Sequence, residues 1–337
     1  MSIRHWSAHL AALFTITLLA LPQAAAQSRL EVDCEAGWTH HVAAGGVAFL
    51  VIHRGALVCE RYDRGVDPED SWWLASGTKS FAPVMVALAV QDGLLELDQP
   101  VSDVLEEWAG DPDRSAVTIR HLLDQSSGLA VNVRNRRLPS YQRAIATRQE
   151  FEPGERFRYG AAHFEVLGEV LRRQLAANDL DPTPADYLLR RFLRPLGIGI
   201  DAWRAVDGQP AMSEGARMSA LDWGRFGQAV LAQGRFGDVV LGDEGVWAAM
   251  FEPGTANPGY GLGWWLIDPE AGGWSRPFVA VAAGAGGQRL YIIPDMDLVV
   301  VRMTRGVVDD RATREQDWSD RAFLRRLIIA PAPRLDD

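Results

Sequence analysis

The stretch LASGTKSF, residues 74–81, holds Lys79, the one lysine of the chain; every other member of its 34 Lys and Arg residues is arginine. Ser76 lies three positions before it. If a helix begins at Ser76, the two side chains share a face. A serine hydroxyl is a weak nucleophile until a neighbour takes its proton. Lysine can act as that neighbour when burial or a nearby cation favours its neutral form. Arginine cannot, because its pKa stays above about 12. A chain that otherwise writes Arg has chemical reason to write Lys here. The flanks WWLA and FAPVMVALAV are apolar, so the expected helix start is buried, and its first N–H groups lie near the serine. A helix start with a solvated Lys is the plain alternative.

The 337 residues are 47% hydrophobic and 23% charged, an ordinary globular composition with enough chain for a large core. The net charge of −10 argues against nucleic acid or anionic membrane as partner. Residues 1–26 read as a secretory signal. Arg4 supplies the charge, HLAALFTITLLALP (9–22) is apolar but short for a bilayer span, and QAAAQ offers a cleavage point after Ala26. The mature chain would be 27–337, periplasmic or secreted, without a stable membrane anchor. Cys34 and Cys59 either pair, as an oxidising compartment permits, or stay as thiols. No cofactor or metal site is indicated.

GVAFLVIHRGALVCERY (46–62) reads as two strands turning at Arg54-Gly55. GTKSFAPVMVALAVQD (77–92) reads as a buried helix stopping at Gly93, with Pro83 removing one bond and bending it. Helical patterns follow at 161–177 and 219–234, the second capped by Ser219. Strand patterns return at 260–267, 288–294 and 297–303, and a helix is expected at 317–330. His40 and His41 are expected in a strand, facing opposite ways near the surface. The Trp72-Trp73 and Trp264-Trp265 pairs suit core and pocket wall. The fold class is therefore α+β: an antiparallel sheet built from both termini, flanked by helices, with a mostly helical insertion from about 100 to 255.

LASGTKSF resembles the active-site serine motif of the serine β-lactamase-related superfamily. That group includes class C β-lactamases, D-alanyl-D-alanine carboxypeptidases, esterases and 6-aminohexanoate-dimer hydrolases. VTIRHLLDQSSGL (117–129), EPGERFRYGAAHFEVLGEVL (152–171), RPLGI (194–198), MSALDWGRFGQ (218–228) and GYGLGWW (259–265) are similar to further segments of the family, in order. The resemblance implies a β-lactamase/transpeptidase-like fold, Ser76 as nucleophile, Lys79 as its base partner and Tyr159 as the tyrosine of the second motif. A phenol beside an ammonium can relay protons; a core tyrosine is the plain reading.

Two departures bear on substrate. Many relatives carry Asn two residues after the tyrosine, where this chain has Ala161. Penicillin-recognising relatives also carry Lys or His on the strand lining the site, whereas GAGGQRLYIIP (284–294) has neither. Arg289 is close, but strand alternation points it away. Backbone N–H groups of Ser76 and of the Gly286–Gln288 stretch are the candidate oxyanion donors. His163, four residues after Tyr159, suits a packed histidine. The expected function is an exported serine hydrolase forming an acyl-enzyme with small ester, linear amide or peptide substrates. The rivals are a β-lactamase or peptidoglycan D,D-peptidase, and a catalytically silent binding relative.

Overall fold

The computed structural model describes residues 31–131, 138–267, 278–305 and 318–329. The leader (1–26) and the tail from 331 lie outside them. Gly46–His53 (β1) and Ala56–Tyr62 (β2) form the expected hairpin. Arg54 and Gly55 both take positive φ, 50° and 76°, the mirror-image turn whose twist matches that of the strands. The C-terminal half adds Trp265–Ile267 (β3), Val279–Gly284 (β4), Gln288–Ile293 (β5) and Leu298–Thr304 (β6). They join in the order β3-β4-β5-β6-β1-β2, all antiparallel. The β6–β1 pairing unites the two ends of the chain, with Leu50 opposite Val301.

β1 and β6 are apolar on both faces because helices cover both. Phe49, Val51, Tyr291 and Val300 pack with Phe323, Leu324 and Leu327. Those come from Asp320–Leu327 (α5), which lies beside Cys34–Ala43 (α1). Leu50, Ile52, Leu290 and Val301 face the other way, into the cluster of Trp223 and Phe226 on Ala220–Leu231 (α4). Phe81–Gln91 (α2) and Ala162–Ala177 (α3) complete that layer. Cys34 and Cys59 are bonded, with Cα atoms 5.8 Å apart, tying α1 to β2.

Several expectations are corrected. His40 and His41 lie on α1, not in a strand, and His41 is fully buried between Trp38 and Phe49. Its pKa falls well below the usual range through burial first, then the Arg302 charge. Pro83 breaks nothing: the α-helix proper starts at Phe81, so Pro83 sits in its first turn, where proline is tolerated. The strand expected from 260 begins only at Trp265. β4 was not expected at all.

Candidate active site

Ser71–Trp73 pairs with Ala216–Ser219, and Leu74 N donates to Ala216 O at 2.9 Å. Ala75 then takes φ 48°, a left-handed conformation costly for a residue with a Cβ, and the chain turns into a single 3-10 segment, Ala75–Ser80. Three residues per turn place side chains i and i+3 directly above one another. Lys79 Nζ accordingly lies 3.2 Å from Ser76 Oγ. It also donates to Ser213 O at 3.0 Å, and the residue is only 4% exposed. α2 continues the segment and is buried from Phe81 to Ala89, so the pair stands on a rigid base.

Tyr159 joins them: Lys79 Nζ lies 4.8 Å from the centre of its ring. Trp265 stacks on that ring at 5.3 Å and Tyr260 meets it edge-on at 6.2 Å. Trp265 is thus wall, Trp264 core, and Trp73 is exposed, covered by Arg204 and Arg217. His163 is buried between Ser127 Oγ (2.8 Å) and Arg158 O (2.7 Å). A carbonyl only accepts, so Nε2 carries the proton and Nδ1 accepts from Ser127. Burial lowers its pKa to about 4, which keeps the ring neutral at neutral pH.

Sequence reasoning missed three supporting residues. Glu165 on α3 is 1% exposed and accepts from Met212 N (3.0 Å), Ser213 N (3.0 Å) and Ser213 Oγ (2.6 Å). It thereby fixes the Ser213 carbonyl that accepts from Lys79 Nζ. Burial raises its pKa to about 7, against the pull of these bonds and of Lys79. A lone acid inside the apolar run HFEVL was the available signal. Ser213 itself, and Gln125, had none, since their roles depend on contacts far along the chain.

The strand lining the site is β4. β3 pairs with it only as far as Val281, so Ala282–Gly284 leaves a free edge that packs on the Ser76 turn. Approach is so close that a Cβ at Gly284 would lie 2.0 Å from Leu74 O. The expected donors Gly286 and Gln288 lie beyond this edge. Gln288 is on β5, opposite Gly284, with its carboxamide bonded to Thr304 N, O and Oγ1. Gly286 sits within the connecting turn and its carbonyl accepts from Thr304 Oγ1. The Gly284 carbonyl faces the hairpin, accepting from Gly287 N and Arg289 Nη1. Alternation therefore turns the polar groups of Ala283 to the free edge, and Ala285 opens the turn immediately beyond it. Arg289 points to the α5 face and pairs with Asp320 at 3.1 Å, away from Ser76 as expected.

A half-buried serine paired with a buried lysine on a 3-10 turn, beside a tyrosine and a free strand edge, places the chain among hydrolases of the β-lactamase fold. The Beta-lactamase family pattern matches residues 35–324, and the chain belongs to that family. It is 26% identical over 170 residues to Protein flp of Staphylococcus aureus (strain N315), covering 45% of this chain and 33% of that one. It is 25% identical over 299 residues to the 6-aminohexanoate-dimer hydrolase of Paenarthrobacter ureafaciens, covering 76% and 72%. The chain thus spans about a third of the length of the first curated relatives it matches. Among solved structures, EstCE1, a hydrolase with promiscuous acyltransferase activity, superposes with a TM-score of 0.65 at 17% identity, covering 82% of this chain and 93% of that one.

Proposed function

We propose that the chain is an exported serine hydrolase that forms an acyl-enzyme on Ser76 and acts on ester or linear amide substrates. The observation that carries this reading is the 3.2 Å approach of Lys79 Nζ to Ser76 Oγ at a buried helix start. Ser76 Oγ attacks the substrate carbonyl as its proton passes to a neutral Lys79 amine. Tyr159, against the same amine, passes a proton on to the leaving group. The oxyanion is received by the N–H of Ser76 and by that of Ala285, which takes over the role expected of Gly286 and Gln288. Water, deprotonated by the same groups, then releases the acyl chain.

Esters and linear amides are favoured over β-lactams because the free edge of β4 and the residue after it carry only Ala282, Ala283, Gly284 and Ala285, and Ala161 follows Tyr159-Gly160. No cation among these residues is placed to meet a substrate carboxylate. The size of the matched 6-aminohexanoate-dimer hydrolase segment supports the same choice. Export is supported by the signal-like residues 1–26 and by the Cys34–Cys59 bond, which suits an oxidising compartment.

The test is hydrolysis of a p-nitrophenyl ester series by wild type and Ser76→Ala, with nitrocefin in parallel. Ester turnover lost in Ser76→Ala is expected. Equal rates in the two proteins would remove Ser76 from the mechanism, and faster turnover of nitrocefin than of any ester would assign a β-lactamase instead.

A further inference from the structure

Gln125 combines three features that a simple turn does not need. It follows the short helix Ile119–Leu123 and adopts φ 59°, a region that Gln rarely enters and that Gly occupies freely. It is completely buried. Its carboxamide NH2 lies against the buried Tyr260 hydroxyl.

The groups that Gln125 does use converge on one place. Its main-chain carbonyl accepts from Arg158 N at 3.0 Å. Its side-chain Oε1 accepts from Gly160 N at 2.7 Å. Tyr159 lies between those two peptides, so a single residue holds the backbone of Tyr159 from both sides. A glycine would make the turn without strain and would keep the first bond, but it could not make the second. The side chain is what the unfavourable backbone conformation retains.

We infer that Gln125 is a positioning residue for Tyr159, fixing the phenol against Lys79 through the N–H groups of the residues on either side of it, Arg158 and Gly160. The inference rests on the proposed roles of Ser76, Lys79 and Tyr159. Gln125 does not reach the reacting atoms; it acts through Tyr159, and it meets Tyr260, which packs on the Tyr159 ring at 6.2 Å. Two independent contacts on one tyrosine exceed what closing the turn demands. They suit a proton relay, where a displacement of a few tenths of an ångström slows transfer more than it weakens binding.

A double-mutant cycle tests this. Gln125→Gly relieves the backbone and removes only the side-chain bonds, while Gln125→Met keeps the volume. Each is made in the wild-type and Tyr159→Phe backgrounds and assayed on a p-nitrophenyl ester, with thermal unfolding alongside. In the wild-type background we expect kcat to fall by about 10- to 100-fold with KM changed by less than about threefold. In the Tyr159→Phe background the further loss should be under about twofold, because the residue through which Gln125 acts is already disabled. Equal fold-losses in both backgrounds, or wild-type kcat in Gln125→Gly, would overturn the inference. So would loss of the folded state in both variants, which would assign Gln125 to stability. If Ser76→Ala retains the esterase activity, the functional reading itself fails; if Ser76→Ala is inactive and the cycle is additive, only the role of Gln125 fails.

Discussion

Replacing Glu165 by Gln should change how stability depends on pH, and the size of the change follows from where the carboxyl lies. In the fold its pKa is about 7, against 4.5 for an ordinary Glu, chiefly because it is buried. Below 4.5 the carboxyl is neutral in both the folded and the unfolded chain and has no effect on the pH slope. Between 4.5 and 7 the unfolded chain has released this proton and the folded chain retains it, so stability falls as pH rises. Above 7 both states are ionised and the loss is constant. The gap corresponds to about 3 kcal/mol. The carboxamide of the Glu165→Gln variant cannot titrate, and its NH2 group opposes the N–H groups of Met212 and Ser213, which adds an offset equal at every pH. His163, which titrates near 4, is present in both proteins and cancels in the difference. Urea unfolding of wild type and Glu165→Gln at intervals from pH 4 to 8 gives that difference directly. The wild-type value should decline relative to the variant by about 3 kcal/mol between pH 4.5 and 7. A difference curve flat to within about 0.5 kcal/mol would refute the assignment of a buried, proton-retaining carboxyl beneath Ser213.

Lys79→Arg keeps a cation next to Ser76 but removes the group able to become neutral; kcat/KM on a p-nitrophenyl ester should fall by about 10²- to 10⁴-fold, and near-wild-type rates would exclude Lys79 as the base. Gly284→Val should place its branched carbons against Leu74 O and pry β4 off the Ser76 turn, so that a fluorophosphonate labels Ser76 far more slowly while the far-ultraviolet circular dichroism is kept; labelling at the wild-type rate would show that the contact is not part of the site. Cys59→Ser opens a loop of 25 residues and should cost about 3 kcal/mol in urea unfolding; a loss below about 1 kcal/mol would mean that the bond adds little to the constraint already set by α1 and β1.

The features legible in the sequence were those with short-range causes. Arg54-Gly55 between two apolar runs announced the β1–β2 hairpin, and Ser219 before ALDWGRFGQ announced the start of α4, where it accepts from Asp222 N at 3.1 Å. Ser76 and Lys79 were found because their relation is three residues long. β4 escaped because VAVAAG is built from small side chains, which approach Ser76 closely but carry little strand signal. α1 escaped because CEAGWTHHVA has no apolar stripe; its helix is held by the Asp33 cap and by packing on β1 and α5. The free edge beside Ser76 escaped for a related reason: it is set by where β3 stops pairing, at Val281, which no local pattern shows. Glu165 and Gln125 act across 48 and 35 residues respectively, and no local pattern records such distances.

The burial of the one ε-amine has a consequence for the chemist at the bench. An amine-directed reagent such as an aldehyde with borohydride finds no lysine target on the outer surface, because Lys79 is 4% exposed. At neutral pH such a reagent is confined to the chain's α-amino group, which gives singly tagged protein without engineering. A lysine introduced at any chosen surface position would then be the one side-chain attachment point in the folded state, beside the α-amino group. In the unfolded state Lys79 reacts as well, so the second equivalent of tag counts unfolded molecules.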